Sequence, residues 1–424
     1  MCLCVYEDVA VSGLDPLSLT RPAFDLRCGA ASLLERHARY FAAHDLGALV
    51  RPELEDLCRL THPGLAVNDP CWLGAGDLVL ANARWLPPPG PPPERDRAKV
   101  GLVGGQVAFV VLPGGLPDCC PAALRELLEG WARTLPGVAA GGSLIDAPWD
   151  LIRHNAGALE HDYLHWRAAG RPAADLPGVT VLGPPERLLA DPSARVEAPA
   201  LVDTRHGPVL LDRDVTVEAF SRLEGPCYVG AGSRVFGARV YGGSVGPHCR
   251  VGGELEESIL HGYTNKRHDG FLGHSYLGAW VNLGAGTQTS DLRNDYETIR
   301  MGARAEARDT GLLKVGAFVG DHTRTGIGTL LNVGTVVGPF CQLLPWGSLL
   351  PRQVPAFTQF AHGQLRARTD LRQMLATADR VVARRGVAWT ATDTDFFFSL
   401  YEGTSPHRRQ ALRDAEQRRL RRLV

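Results

Sequence analysis

The sequence predicts an α/β domain at the N-terminus, followed by a parallel β-solenoid and a helical tail. Three observations predict this. In the run 270–287, Phe271, Leu277 and Leu283 recur every six residues among glycines and small residues. The same period holds upstream through Val217, Leu223, Val229, Val235 and Tyr241, and downstream through Val315, Asp321, Ile327 and Val333. Residues 1–165, by contrast, alternate short apolar runs with amphipathic helical patterns. In a hexad solenoid each hexad forms one face of a coil, and one apolar side chain per hexad enters the core. Glycine suits the sharp corners between faces. A β-sandwich would instead show irregular spacings of about 8–12 residues.

Each element follows from local pattern. Residues 1–7 read as a strand and 30–44 as an amphipathic helix. Residues 78–80 and 106–112 read as further strands, separated by the stiff polyproline loop at 87–93. Residues 121–135 have helical periodicity, with Pro121 suited to a first turn. In 148–163, Trp149, Ile152, Ala156 and Leu159 fall near one helical face. An Ala/Gly/Pro-rich connector spans 166–185, the solenoid 186–358, and a helical, arginine-rich tail 359–424. That tail is expected to be a solvated helix face.

Composition narrows the function. The chain has 424 residues, enough for more than one domain, and 45% apolar residues, enough for a large core. With 45 Lys+Arg against 46 Asp+Glu the net charge is −1, so no basic face points to nucleic acid. The 10 cysteines include no C-x-x-C pair, which argues against a zinc ribbon and a disulfide framework and for free thiols in a reducing cytoplasm. No secretory leader and no apolar run of transmembrane length is evident, so no membrane partner is expected.

The chemistry centres on His274, a single histidine between small residues on the coil. Imidazole titrates near neutral pH and can accept a proton from an attacking group. Tyr276, two positions on, is expected on the same strand face. Lys266 and Arg267 lie in a polar loop ahead of the histidine, where a cation suits a phosphate.

The residues His274-Ser275-Tyr276-Leu277-Gly278, Asn282-Leu283-Gly284-Ala285-Gly286-Thr287 and Phe318-Val319-Gly320 resemble the acetyltransferase half of the bifunctional N-acetylglucosamine-1-phosphate uridylyltransferase/glucosamine-1-phosphate acetyltransferases. Ser290-Asp291-Leu292-Arg293-Asn294-Asp295-Tyr296 resembles a loop of related sugar-nucleotide enzymes. The resemblance implies a left-handed β-helix that trimerises, with acetyl-CoA between neighbouring helices. It implies His274 as the proton acceptor, Tyr276 on the sugar phosphate and Asn282 near the acetyl group. Asp291 stands where the family usually has an asparagine that contacts the sugar. Lys266 is the first choice for the phosphate contact and Arg293 the second.

The N-terminal stretch resembles the sugar nucleotidyltransferases of a variant bifunctional family. It does so through Pro16-Leu17-Ser18-Leu19-Thr20-Arg21-Pro22, Asp25-Leu26-Arg27-Cys28-Gly29, Asn82-Ala83-Arg84-Trp85-Leu86-Pro87 and Pro148-Trp149-Asp150-Leu151 with Asn155. The usual L-x-x-G-x-G-T-R loop, which wraps nucleotide phosphates with backbone N–H groups, is absent. The expected reactions are acetylation of glucosamine-1-phosphate and then UTP- and Mg²⁺-dependent formation of UDP-N-acetylglucosamine. Arg21 and Arg27 are candidates for nucleotide or sugar phosphate, and Asp77 for Mg²⁺. Two alternatives stay open. One is a zinc enzyme of the γ-carbonic-anhydrase type, using histidines among His261, His268, His274 and His322. The other is a non-catalytic sugar-nucleotide-binding scaffold.

Overall fold

A computed structural model of the chain describes residues 2–116, 123–170, 176–302 and 307–420. Cys119, Cys120 and Pro121 lie outside the described residues. Two compact units emerge. The first comprises Met1–Leu26, Ala31–Ala147 and Thr390–Phe396, the second Arg27–Ala30, Pro148–Trp389 and Phe397–Val424.

The first unit is built on a seven-stranded mixed sheet. Strand Cys2–Tyr6 lies inside it, parallel to Asp45–Leu49 on one side and to the central strand Leu78–Asn82 on the other. Gln106–Leu112 pairs antiparallel to Leu78–Asn82. Strand alternation sends Cys4, Tyr6, Leu78, Leu80, Val110 and Leu112 to one face, where Leu124 and Leu128 of helix Leu124–Thr134 cover them. The other face receives Phe109, against Phe41 and Trp85 at ring distances of 6.0 and 5.5 Å. Phe41 closes helix Leu33–Phe41, which starts in a capping box between Ser32 and Glu35.

The second unit is a coil of short parallel strands from Val179–Leu182 onward. Its core is a column of aliphatic side chains including Val217, Leu223, Val229, Val235, Leu277 and Leu283. The expected phase holds over these residues, and Val315 and Val333 are buried as well, but it fails at Tyr241, Phe271 and Ile327. Leu272, not Phe271, enters the core, as does Val240 rather than Tyr241. Downstream, Ile327 is 82% exposed, and the core positions are Val319, Leu331, Val337 and Leu343. The shift follows from coil lengths that depart from three strict hexads. Pairing links Leu188 to Val209, but Arg250 to Asn265.

Corners are also less glycine-rich than expected. His248, Tyr263, Trp280, His322, Phe340 and Phe357 occupy one corner of successive coils, each with φ between 53° and 60°. Such a backbone costs a non-glycine residue about 1–3 kcal/mol. Here the rings stack on one another, with centroids 4.8 Å apart for His248–Tyr263 and 4.2 Å for Tyr263–Trp280. Aromatic pairs contribute about 0.5–1.5 kcal/mol each beyond the area they bury, so stacking offsets much of the corner strain.

Helix Pro148–Ala168 packs on this coil through Leu159, which clusters with Leu189, Leu210 and Tyr228. Asn155 is its hub. Its Oδ1 accepts from the Gly29 N–H at 2.6 Å and from the Ser244 hydroxyl at 3.0 Å. Helices Leu371–Ala383, Ala391–Gly403 and Ser405–Leu420 follow the coil. Phe397 and Tyr401 lie against Phe340 and Phe357 of the aromatic corner. Among the described residues no helix is long and apolar enough to cross a membrane.

Candidate active site

A second corner carries the polar chemistry. Glu257 and His274 occupy it on neighbouring coils, with φ of 38° and 45°. Asp291 follows His274 by 17 residues, one coil further on. The coil repeat therefore stacks three ionisable side chains that are far apart in sequence. His274 Nδ1 lies 2.8 Å from Asp291 Oδ2, and Nε2 lies 3.4 Å from Glu257 Oε2. The His274 and Asp291 side chains are 10% and 11% exposed, whereas Glu257 is 60% exposed. One end of the imidazole is thus fixed in the protein, and the other faces an open carboxylate.

The electrostatics follow from this geometry. Burial alone would lower the His274 pKa. The hydrogen bonds and charges of Asp291 and Glu257 outweigh it and lift it to about 9. In the other direction, the His274 contact leads the causes that hold Glu257 below its ordinary range.

An insertion sets the position of Asp291. The chain leaves the coil there and returns at Val315, whose N–H donates to Asp291 O at 2.8 Å. The following rung therefore lies 42 residues on, where the Ala317 N–H meets the Ser275 hydroxyl at 2.8 Å. The Gly316 N–H then donates to His274 O at 2.9 Å. At the root of the insertion Lys314 Nζ binds Glu256 Oε1 at 2.7 Å, which raises the lysine pKa.

The other expected site residues fall in different places. Tyr276 is fully buried. Its hydroxyl accepts from the Arg27 N–H at 2.9 Å and lies 3.1 Å from His261 Nδ1, so it faces the protein and not the His274 opening. Lys266 is buried, and its ammonium donates to Gly252 O and His268 O, both at 2.8 Å. Burial pulls its pKa down to about 8. Asn282 is half-buried and accepts from Asn265 Nδ2 at 2.6 Å, forming an asparagine pair between coils. Arg293 Nε donates to Asp295 Oδ1 at 2.7 Å, and its side chain lines an open cleft of about 540 Å³ with Ser290, Asn332 and Arg352.

Arg21 and Arg27 belong to different units. Arg27 Nη1 donates to Ala30 O at 2.6 Å, and its guanidinium lies 5.8 Å from the Tyr228 ring. Arg21 is half-buried, and its carbonyl accepts from Arg51 at 3.3 Å. Asp77 is exposed and accepts from the Gly114 N–H at 3.0 Å.

The structure therefore brings together His274 and Asp291, and adds Glu257 and Lys314, which sequence reasoning did not single out. Glu257 had one available signal, its position a single coil before His274.

Among the described residues no group of three or more His, Cys, Asp or Glu side chains is arranged to hold an ion. Asp77 alone does not supply the oxygen set that Mg²⁺ requires. His261 is engaged with Tyr276, and His322 lies in the aromatic corner, 4.7 Å from Phe340, so these histidines do not converge on His274 within the chain.

Comparison with known proteins adds a class to this geometry. Residues 3–169 match the family model described as sugar nucleotidyl transferase. A bifunctional sugar-1-phosphate nucleotidylyltransferase/acetyltransferase of Sulfurisphaera tokodaii is 32% identical over 101 residues, 24% of this chain and 25% of that protein. The bifunctional protein GlmU of Cyanothece sp. is 28% identical over 184 residues, 35% of this chain and 37% of that protein. The chain thus aligns with only about a quarter to a third of the length of these relatives. A solved UDP-N-acetylglucosamine acyltransferase is 14% identical and covers 54% of this chain and 83% of its own, with a TM-score of 0.21. At that TM-score the likeness is slight, and the fold stands on the strand pairing. By sequence the N-terminal part is similar to sugar nucleotidyl transferases, and stretches of the chain are similar to bifunctional nucleotidyltransferase/acetyltransferases, the family that its motifs resemble.

Proposed function

We propose that the solenoid unit transfers an acetyl group from acetyl-CoA to the amine of glucosamine-1-phosphate. In this reading the coil is left-handed and three copies assemble in the cytoplasm. The domain division is 1–165, 166–185, 186–358 and 359–424, and the N-terminal part carries sugar-1-phosphate nucleotidyl transfer with UTP, giving UDP-N-acetylglucosamine. The observation that carries the proposal is the fixed imidazole of His274, tied at Nδ1 to buried Asp291 and open at Nε2 beside Glu257.

The steps follow from that arrangement. Asp291 accepts from Nδ1–H, so Nε2 is the basic nitrogen of neutral His274. The neutral sugar amine attacks the thioester carbonyl carbon, forming the C–N bond. Nε2 takes the amine proton as the carbon becomes tetrahedral. The C–S bond then breaks, and the coenzyme A thiolate recovers that proton as free thiol. With a pKa of about 9, His274 carries a proton at neutral pH in the free chain. Binding of the sugar ammonium beside Glu257 then has to shed two protons to solvent, one from the ammonium to give the attacking amine and one from Nε2, whose loss a second positive charge nearby favours. Lys314, 44% exposed and paired with Glu256, is the cation we assign to the sugar phosphate.

The test is thiol release from acetyl-CoA with glucosamine-1-phosphate as acceptor. A general base contributes about 10²–10⁴-fold, so His274→Ala should lose that much. An unchanged rate would remove His274 from the reaction.

A further inference from the structure

The N-terminal unit has a topological switch point of the kind at which open α/β sheets bind ligands. Strand Cys2–Tyr6 is flanked on both sides by parallel strands, Asp45–Leu49 and Leu78–Asn82. Chain connections run to opposite sides of such a strand, and ligands bind outside the carboxyl ends at that switch point. The residues leaving those ends are Glu7 and Asp8 from one strand, Asn82 and Arg84 from the other.

Their carboxylates are already engaged. The Glu7 side chain is 2% exposed, takes Arg51 Nε at 3.1 Å and accepts from the Ala23 N–H at 2.9 Å. Asp8 receives Arg84 as a fork, Nε to Oδ1 at 2.8 Å and Nη2 to Oδ2 at 2.6 Å. Asn82 Nδ2 and the Ala10 N–H also donate to Asp8, at 2.9 and 3.1 Å. Arg84 Nη1 binds Asp146 and, at 3.2 Å, Ile145 O, while Nη2 also reaches Gln106 Oε1 at 3.4 Å. The Arg84 side chain is 0% exposed. A guanidinium has five N–H donors, and here each has an acceptor.

We infer that Arg84 is the resident cation of this switch point, standing between Asp8 and Asp146 where a divalent ion would otherwise be held. A Mg²⁺ or Mn²⁺ ion seated on the protein is held through one or two carboxylates, and a planar guanidinium that binds one carboxylate through two bonds and a second through another uses those oxygens with geometric specificity. Any Mg²⁺ used in nucleotidyl transfer then enters on the triphosphate and has no seat of its own on these two side chains. This inference concerns the N-terminal unit alone and stands or falls independently of the acetyl-transfer reading.

Mn²⁺ alone is the probe, titrated into the full chain without nucleotide and followed by the electron paramagnetic resonance of the free ion. Wild type should show no stoichiometric site below about 1 mM, a range in which carboxylate-rich oxygen sites bind. Arg84→Met removes the guanidinium and should create one Mn²⁺ site at least tenfold tighter, lost again when Asp8→Asn is added. One stoichiometric site in wild type that disappears in Asp8→Asn would overturn the inference. So would a folded Arg84→Met that gains no site. If Arg84→Met does not fold by circular dichroism, wild type and Asp8→Asn decide alone.

Discussion

Replacing Asp291 by asparagine tests how the corner sets the basicity of His274. Asp291 meets Nδ1 at 2.8 Å and is 11% exposed, while Glu257 stands 3.4 Å from Nε2 and is 60% exposed. The Asp291 hydrogen bond leads the causes that lift His274 from 6.5 to about 9 against its burial, ahead of the more exposed Glu257 contact. Asp291→Asn should therefore lower the His274 pKa by at least about one pH unit, or about 1.4 kcal/mol between its protonation states. Two readouts follow. The limb of kcat/KM that rises with pH should move down by the same amount, and its plateau should fall because Nδ1–H is held less firmly. Imidazole ¹⁵N resonances should show the altered titration directly.

A stability signature accompanies the rate. A raised histidine pKa stabilises the fold fully below pH 6.5 by on the order of 3 kcal/mol, a contribution lost as pH rises through about 9. In Asp291→Asn most of that pH dependence should vanish. A variant whose limb and titration stay where wild type has them would refute the assignment of Asp291 to Nδ1.

Two further substitutions separate structural from substrate roles. Tyr276→Phe removes the buried acceptor of the Arg27 N–H. It should cost about 1–3 kcal/mol in denaturant unfolding and leave thiol release near wild type; a lost rate at unchanged stability would put Tyr276 on the substrate instead. Gly316→Ala places a Cβ 2.0 Å from Gly273 O, next to His274. Overpacking of this kind costs about 1–3 kcal/mol or more, so both stability and acetyl transfer should fall. Wild-type values would contradict the close approach of these coils.

Much of this architecture is legible in the sequence because apolar periodicity reports burial directly. Strand Gln106–Leu112 has the expected bounds, and helix Pro148–Ala168 runs only a turn beyond the expected one. The phase of Ile327 is not legible. Coil lengths vary, and a one-residue change turns an inward position outward. His274 stands out by its neighbours in sequence, but Glu257 and Asp291 are its neighbours only through the coil repeat. Nor does a motif show which way a side chain points. Tyr276 lies in a family-like motif and Lys266 close to it, and yet both turn into hydrogen bonds within the protein. Arg84 is similar. Its partners Asp8 and Asp146 lie 76 and 62 residues away, and only the sheet brings them together.

The most direct test of the central claim is thiol release from acetyl-CoA and glucosamine-1-phosphate, measured side by side on wild type and His274→Ala. The corner geometry predicts turnover in wild type and a loss of about 10²–10⁴-fold in the variant. Equal turnover in the two proteins, or none in wild type, would contradict acetyl transfer to this sugar at the Glu257–His274–Asp291 corner.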